Sequence, residues 1–555
     1  MLKGHPKGLL VAFFSNMGER FGFYTMMAIL VLFLQAKYDL SAEKAGSIYS
    51  WFYFAIYALA LLGGILADWS KRYKTVIFAG IVIMFLGYLL MFLPGLSLAA
   101  TVTSLFVIAF GNGLFKGNLQ AVVGQMYDDP KYDKLRDAAF MIFYMGINIG
   151  AFFAPFVATG IRNWWLRANG FLHDASLPAL CHQYQNGNMN NVDKLQLLAD
   201  KVNMSGPVSD LGQFVGEYLE VFSRGYNYAF GIAAGAMIVS LLVYVIFNRY
   251  LPAKHVEARK KAATEQPVKM PWSEEKPRLI SLGLVFIVVI FFWMSFHQNG
   301  LTLTMFARDY TVKAVGPFTY LFFDLYQILA FIGAVVGLVL LILPKSKATV
   351  RFIGAGLLLV GGYLSYHFYS GNDPVSNPIE PEIFQSYNPL FIVTLTFLVM
   401  GIFTWLNRRG KEPSTPKKIG IGMVIASIGF VIMIWSSLGL ESPFQLGGEP
   451  VLDDGRVSPY WLISSYLILT IAELFLSPMG LSFVSKVSPP RFQGLMQGGW
   501  LLATALGNKL LFVGSLMWDR IPLWSLWLIF VVCCLLSAAF IFSILKRLER
   551  VTKGA

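Results

Sequence analysis

The apolar residues of this chain come in blocks of roughly 20 or more, and that spacing constrains the fold more than any motif does. About 20 residues at 1.5 Å each cross ~30 Å of hydrocarbon, so each block reads as a membrane-spanning helix. A helix is the favoured form because it satisfies its own backbone donors and acceptors, which lipid cannot do. Charged residues make up 14% of the 555 positions, where soluble domains carry about 25%. The blocks number about fourteen: 9–36, 45–67, 75–93, 98–127, 137–161, 225–249, 279–308, 317–343, 349–370, 384–407, 417–438, 459–486, 491–517 and 522–546. The expected fold class is therefore an all-α membrane protein.

The net charge of +13 does not point to nucleic acid. Most of the 44 Lys and Arg residues lie in short loops on the side shared by both termini, which the charge asymmetry rule assigns to the cytoplasm. Lys3 and Lys7 precede an apolar run as in a signal peptide, but Glu19 and Arg20 interrupt it, so the segment reads as a retained first helix. Three segments fall outside the blocks. Residues 162–224 are polar and read as an outward cap with an amphipathic helix near 193–202. Residues 250–278 form a basic linker suited to the lipid surface, and 439–458 contain a DDGR turn signal. Cys181, Cys533 and Cys534 show no zinc spacing and are expected to form no disulfide.

An ionisable group in hydrocarbon costs several kcal/mol (~2.5–3.5 on insertion scales) unless it faces protein or water. Glu19 and Arg20 in the first block, Lys116 in the fourth, His297 in the seventh, Asp324 in the eighth, Glu473 in the twelfth and Lys509 in the thirteenth all break that rule. Each is a candidate functional residue, with a structural ion pair as the plain alternative. For Lys509 that alternative includes snorkelling toward the interface. We find no metal-ligand cluster, no Gly-rich phosphate loop and no nucleophile beside a base, which argues against an enzyme.

Around these charges the sequence resembles the proton-coupled oligopeptide transporter family of the major facilitator superfamily, along nearly the whole chain. NMGERFGFY (16–24) is similar to its first-helix signature and GILADWSKR (64–72) to the superfamily loop motif. GNGLFKGNLQAVVGQMY (111–127) and RDAAFMIFYMGINIGAFFAP (136–155) match its fourth and fifth helices. FQSYNPL (384–390), AELFLSPMGLSFVSKVSPP (472–490) and MQGGWLLATALGN (496–508) resemble the eighth, tenth and eleventh core helices. The resemblance implies two six-helix bundles with a solute site between them near mid-membrane. The first bundle would be 1–249, with the insert 162–224. The linker 250–278, a first helix 279–310, an inserted hairpin 311–383 and the remaining helices 384–555 would follow.

The same resemblance implies di- and tripeptides as solute, protons as the coupling ion, no cofactor or metal, a functional monomer and residence in the bacterial inner membrane. It assigns Lys116 to the peptide carboxylate and Glu473 to the ammonium, the two pairing when the site is empty. Asn148 and Asn388 would bind the peptide's N-terminal end, and Tyr24, Tyr57 and Trp500 would line the cavity. Asp68, Arg72 and Asp137 match conformational positions. Three positions depart from the family. Asn16 replaces the first glutamate of the signature. Met27 and His297 replace an arginine and a carboxylate that can form an outer gate. Joint loss is physically coherent, because removing one partner alone strands a buried charge. Carboxylate recognition then rests mainly on Lys116, and the remaining candidates for proton coupling are Glu19, beside Arg20, and His297.

Overall fold

The computed structural model describes residues 4–128, 131–189, 192–252, 270–343, 347–447, 451 and 455–553, with only the backbone described for 133, 137, 477–479, 481–482 and 552–553. Among them, thirteen helical segments are long and apolar enough to cross a membrane, and the apolar stretch Tyr460–Leu476 supplies a further candidate. The first six membrane-length helices are α1 (Gly8–Tyr38), α2 (Ala42–Ser70), α3 (Tyr73–Phe92), α4 (Leu98–Gln125), α5 (Arg136–Ala168) and α6 (Leu211–Phe247). Then come α7 (Trp272–Phe296), which continues through a 3₁₀ turn into Thr302–Tyr310, and the hairpin α8 (Leu325–Ile342) and α9 (Ala348–Gly371). The last five are α10 (Tyr387–Arg408), α11 (Thr415–Ser437), α12 (Tyr460–Val487), α13 (Gln493–Lys509, resuming at Phe512–Trp518) and α14 (Leu523–Ser543).

Four of the membrane-length helices, α2, α4, α6 and α8, start on a side-chain cap. The Ser41 hydroxyl accepts from Lys44 N at 3.3 Å, Ser97 from Ala100 N at 3.2 Å and Asp210 from Gln213 N at 3.0 Å. Asp324 is corrected by the same chemistry. It does not lie within a span: it caps α8, accepting from Tyr326 N and Gln327 N at 3.0 and 3.1 Å. The insert is also shorter than 162–224, because α5 runs on to Ala168 and α6 begins at Leu211. The polar residues there belong to helix ends, where partners rather than lipid satisfy them. Arg162 therefore sits inside α5 and is fully buried. The expected amphipathic helix appears as Val192–Val202, alongside an unexpected one at Leu177–Gln185. Leu177, Leu180, Cys181, Leu195 and Ala199 are buried in this cap and extend the main core into it. Most of the basic linker (253–269) and the two aspartates of the turn signal (453–454) lie outside the described residues.

Within the first bundle α1 packs on α5 and α6, and α4 on α2 and α3. In the second, α11 packs on α12 and α14, and α7 on α13. The hairpin packs chiefly on itself and turns large apolar side chains outward, including Phe352, Leu359 and Tyr326. An exposed apolar face of this kind suits lipid. The two bundles meet along α2 with α13 and along α5 with the entry to α10. Their mutual hydrogen bonds gather at the end away from the termini. Arg308 Nη1 donates to Gln35 Oε1 at 2.8 Å, Gln385 Nε2 to the Ala28 carbonyl at 3.2 Å, Ser386 Oγ to the Phe152 carbonyl at 3.0 Å, and Arg520 Nη2 to Glu43 Oε2 at 2.6 Å.

Close approach of α2 and α4 requires glycine. A Cβ on Gly63 would stand 2.1 Å from the Gly113 carbonyl oxygen, and one on Gly113 would stand 2.7 Å from the Leu59 carbonyl. These neighbours are backbone, which cannot swing away as a side chain can. We expect Gly63→Ala to destabilise the first bundle by about 1–3 kcal/mol, as overpacking does. A lower melting temperature of the purified protein in detergent would register it; an unchanged one would mean that the helices separate freely.

Candidate functional site

Helix α1 turns Glu19 and Arg20 into the first bundle. Arg20 Nε and Nη2 donate to the two oxygens of Glu19 at 2.5 and 2.6 Å, and the guanidinium lies 4.6 Å from the centre of the Phe23 ring. Asn112 of α4 adds a third donor, with its Nδ2 2.6 Å from Glu19 Oε1. Both charges are almost fully buried. A buried pair needs further hydrogen bonds to offset its desolvation, and Asn112 supplies one. Asn112 was legible only as part of the GNGLFKGN stretch; nothing in the sequence marked it as the partner of Glu19.

One turn along α4, Lys116 has a different environment. Its ammonium sits 4.4 Å from the centre of the Tyr57 ring, a cation–π contact reaching across from α2. Among the described residues, no carboxylate comes within ion-pair distance of it. Lys116, Tyr24 and Tyr57 are each half-buried in the middle of long helices. Partial exposure that deep sets them apart from the sealed pair of Glu19 and Arg20. The faces of α4 agree, since a Cβ added at Gly117 would meet nothing within 4 Å.

The second bundle contributes the opposite charge. Asn388, in the first turn of α10, donates through Nδ2 to Glu473 Oε2 and to Thr470 Oγ1 of α12, both at 3.0 Å. Asn388 and Glu473 are also half-buried. Tyr24 and Tyr57 lie within electrostatic reach of both Arg20 and Glu473. The tyrosines therefore stand between a cationic wall and an anionic one. The expected direct pair is corrected here: Lys116 and Glu473 do not form an ion pair within 4.0 Å. Each charge has a weaker local partner instead, a π face for Lys116 and an amide for Glu473.

His297 sits at the break in α7, where the helix gives way to the 3₁₀ turn His297–Gly300. Its Nδ1 lies 2.5 Å from Asn508 Oδ1, and an amide oxygen only accepts, so Nδ1 carries the hydrogen in this arrangement. The ring is stacked on Trp293 at 4.7 Å and faces Tyr53 of the first bundle at 4.6 Å. Lys116 is within electrostatic reach of it. Asn16 is buried and offers its amide to the Phe143 carbonyl at 3.5 Å, and Met27 is buried.

Other expected site residues are not brought together with these. Asn148 Nδ2 donates to the Tyr144 carbonyl of its own helix at 3.1 Å. Trp500 is 5% exposed, edge-on to Phe286 and pressed against Gly480, so it packs α13 onto α7 and α12. Lys509 reaches Trp51 at 4.2 Å and Ser50 Oγ at 3.4 Å on α2, joining the two bundles. Asp68 accepts from the Tyr73 hydroxyl, and Arg72 is exposed in the loop between α2 and α3. The side chain of Asp137 lies outside the described residues. The residues that sequence reasoning missed entirely are Arg162, Glu380 and Glu382, which meet between the bundles.

Comparison with known proteins adds to this geometry. The model of the POT family matches residues 73–263 and 374–522. The chain is 28% identical over 541 residues to the uncharacterized transporter YclF of Bacillus subtilis (strain 168), covering 94% of this chain and 89% of that protein. It is 28% identical over 542 residues to the peptide transporter YePEPT of Yersinia enterocolitica subsp. palearctica serotype O:3 (strain YE-P4), covering 91% and 86%. Among solved structures, a peptide transporter POT in complex with sulfate superposes with a TM-score of 0.65 at 22% identity, covering 99% of this chain and 96% of that one. A POT family transporter in complex with 5-aminolevulinic acid gives 0.66 at 21%, covering 99% and 98%. These superpositions establish the two-bundle transporter fold.

The Glu19 network makes its own prediction. Asn112→Leu removes one donor from a buried carboxylate and is expected to cost about 1–3 kcal/mol. Thermal unfolding in detergent measures it, and a neutral result would mean that Arg20 alone satisfies Glu19.

Proposed function

The chain belongs to the POT family, and from that premise we propose that it is a secondary transporter importing di- and tripeptides, driven by protons, through alternating access. The observation that carries this reading is that Lys116 and Glu473, both half-buried and one on each bundle, form no ion pair with each other or, among the described residues, with any other group. A short peptide is a zwitterion. Its carboxylate suits Lys116, and its ammonium suits Glu473 with Asn388 beside it. Tyr24 and Tyr57 offer hydroxyls and apolar faces to side chains of varied size. Peptide transporters and dipeptide and tripeptide permeases among the relatives support the solute class, including permease A of Escherichia coli (strain K12), 24% identical over 517 residues.

With both termini cytoplasmic, as the loop charges favour, the end where the bundles are bonded together is the outer end. The conformation described is then inward-facing, in the inner membrane of a bacterium and as a monomer. Asp68, Arg72 and Asp137, at the cytoplasmic loop ends, are assigned to the conformational change. Proton coupling falls to Glu19, whose bonds to Arg20 and Asn112 can be traded on protonation, or to His297 at the helix break. No cofactor is needed for either route.

A second reading has specific support. Asn16, Met27 and His297 each remove a charge or carboxylate that the family signature carries. A carrier of peptides or of another small anionic or zwitterionic solute that does not use protons fits those changes. Uptake of a labelled dipeptide into proteoliposomes, with and without an inward pH gradient, separates the two. The proton-driven reading predicts gradient-stimulated uptake, and a gradient-insensitive rate overturns it. Lys116→Ala is expected to abolish peptide uptake with expression intact, whereas wild-type uptake would remove Lys116 from the site. His297→Ala is expected to displace the pH profile of uptake if His297 carries protons; an unchanged profile assigns the ring to packing against Trp293 and Tyr53.

A further inference from the structure

Two segments that a two-bundle transporter does not require meet at one place. The first is the cap between α5 and α6. The second is the hairpin α8–α9, inserted between α7 and α10, whose neck is tied by the two-residue strands Ala314–Val315 and Asn377–Pro378. Between them lies a cluster of charges. Arg162, fully buried in α5, donates through Nη1 to Glu382 Oε1 and through Nη2 to Glu380 Oε2 at 2.8 Å. Asn163 Nδ2 donates to Glu380 Oε1 at 2.7 Å, and His173 Nδ1 of the cap lies 2.7 Å from Glu380 Oε2. Next to it, Lys313 Nζ from the neck donates to both oxygens of Asp174 in the cap and to Ser176 Oγ, each at 2.7 Å.

Every one of these bonds joins the first bundle or its cap to the second bundle or the hairpin neck. Meanwhile the positions 27 and 297, where a gating pair can form between the first and seventh helices, hold a methionine and a histidine that do not pair with each other. We propose that Arg162 of α5 with Glu380 and Glu382 at the entry to α10, flanked by the Asp174–Lys313 pair that ties the cap to the hairpin neck, form the latch that holds the outer end of this transporter closed. The latch has the chemistry for the task. Rocking the bundles apart must separate Arg162 from two carboxylates at once, and a half-broken cluster would strand a buried charge. Water entering the parting cleft can take up the freed charges, so the cluster is bistable: bonded when dry, hydrated when open. Met27 needs no partner because this contact, on the α5–α10 seam, does its work from another place.

The inference rests on alternating access and not on the solute, so it is tested without transport. Spin labels are placed at exposed Glu220→Cys on α6 and Val375→Cys in the hairpin neck, in a background lacking the native cysteines. Pulsed electron–electron resonance then reads their separation in lipid nanodiscs. Glu382→Gln, which keeps the shape and removes the charge, is expected to raise the population of the longer, outer-open distance by roughly tenfold. Asp174→Asn with Lys313→Met, at the more exposed rim, is expected to raise it by a smaller factor. This second variant carries the test if the first does not fold. Distance distributions identical to the parent in a folded variant would overturn the latch. Failure of peptide uptake in the parent protein would bear on the solute assignment and leave these distances as decisive as before.

Discussion

The proposed function depends on two opposite charges, one on each bundle, that do not neutralise each other directly. Lys116 has the face of Tyr57 and Glu473 has the amide of Asn388. Neither partner matches an ion pair in strength, so each charge stays available to a ligand that brings its complement. Had the two met directly, a solute would have had to break that bond before binding. The Glu19–Arg20 pair a turn or so of helix away shows the contrast: it is dry, bonded three times over, and already satisfied.

The seam between the bundles completes the picture. At one end they are joined by side-chain bonds from Gln35, Glu43, Arg162, Arg308 and Arg520. Lys116 and Glu473 lie further along their helices from that end, 18 residues past Leu98 and 13 past Tyr460. Glycines allow this geometry locally. At Gly46, for example, a Cβ would overlap the Ser515 side chain of α13 across the seam, so that small side chain lies directly against the α2 backbone. Such a contact is firm while closed and has nothing to disentangle on opening.

The sequence made the fold legible because hydrocarbon imposes a length and a polarity that few alternatives satisfy. It also exposed Lys116, Glu473 and Glu19, since a charge in an apolar block is conspicuous. It was less informative wherever a residue's meaning depends on a distant partner. Asp324 looked like a membrane charge and is a helix cap. Arg162 looked like a loop cation, because the apolar run stops several residues before α5 does. Glu380 and Glu382 read as loop polarity, and only the return of the hairpin brings them to Arg162. Trp500 and Asn148 sat in matching motifs, yet packing on Gly480 and a bond within its own helix, respectively, occupy them here.

Calorimetric binding of a free dipeptide, its N-acetylated form and its C-amidated form tests the central charge separation most directly, measured on the parent protein, Lys116→Gln and Glu473→Gln. The account predicts that the parent binds the free dipeptide best. Lys116→Gln should lose its preference over the amide alone, and Glu473→Gln its preference over the acetylated form alone. Equal losses toward both blocked peptides in both variants, or no loss in either, would contradict the assignment of one charge to each end of the solute.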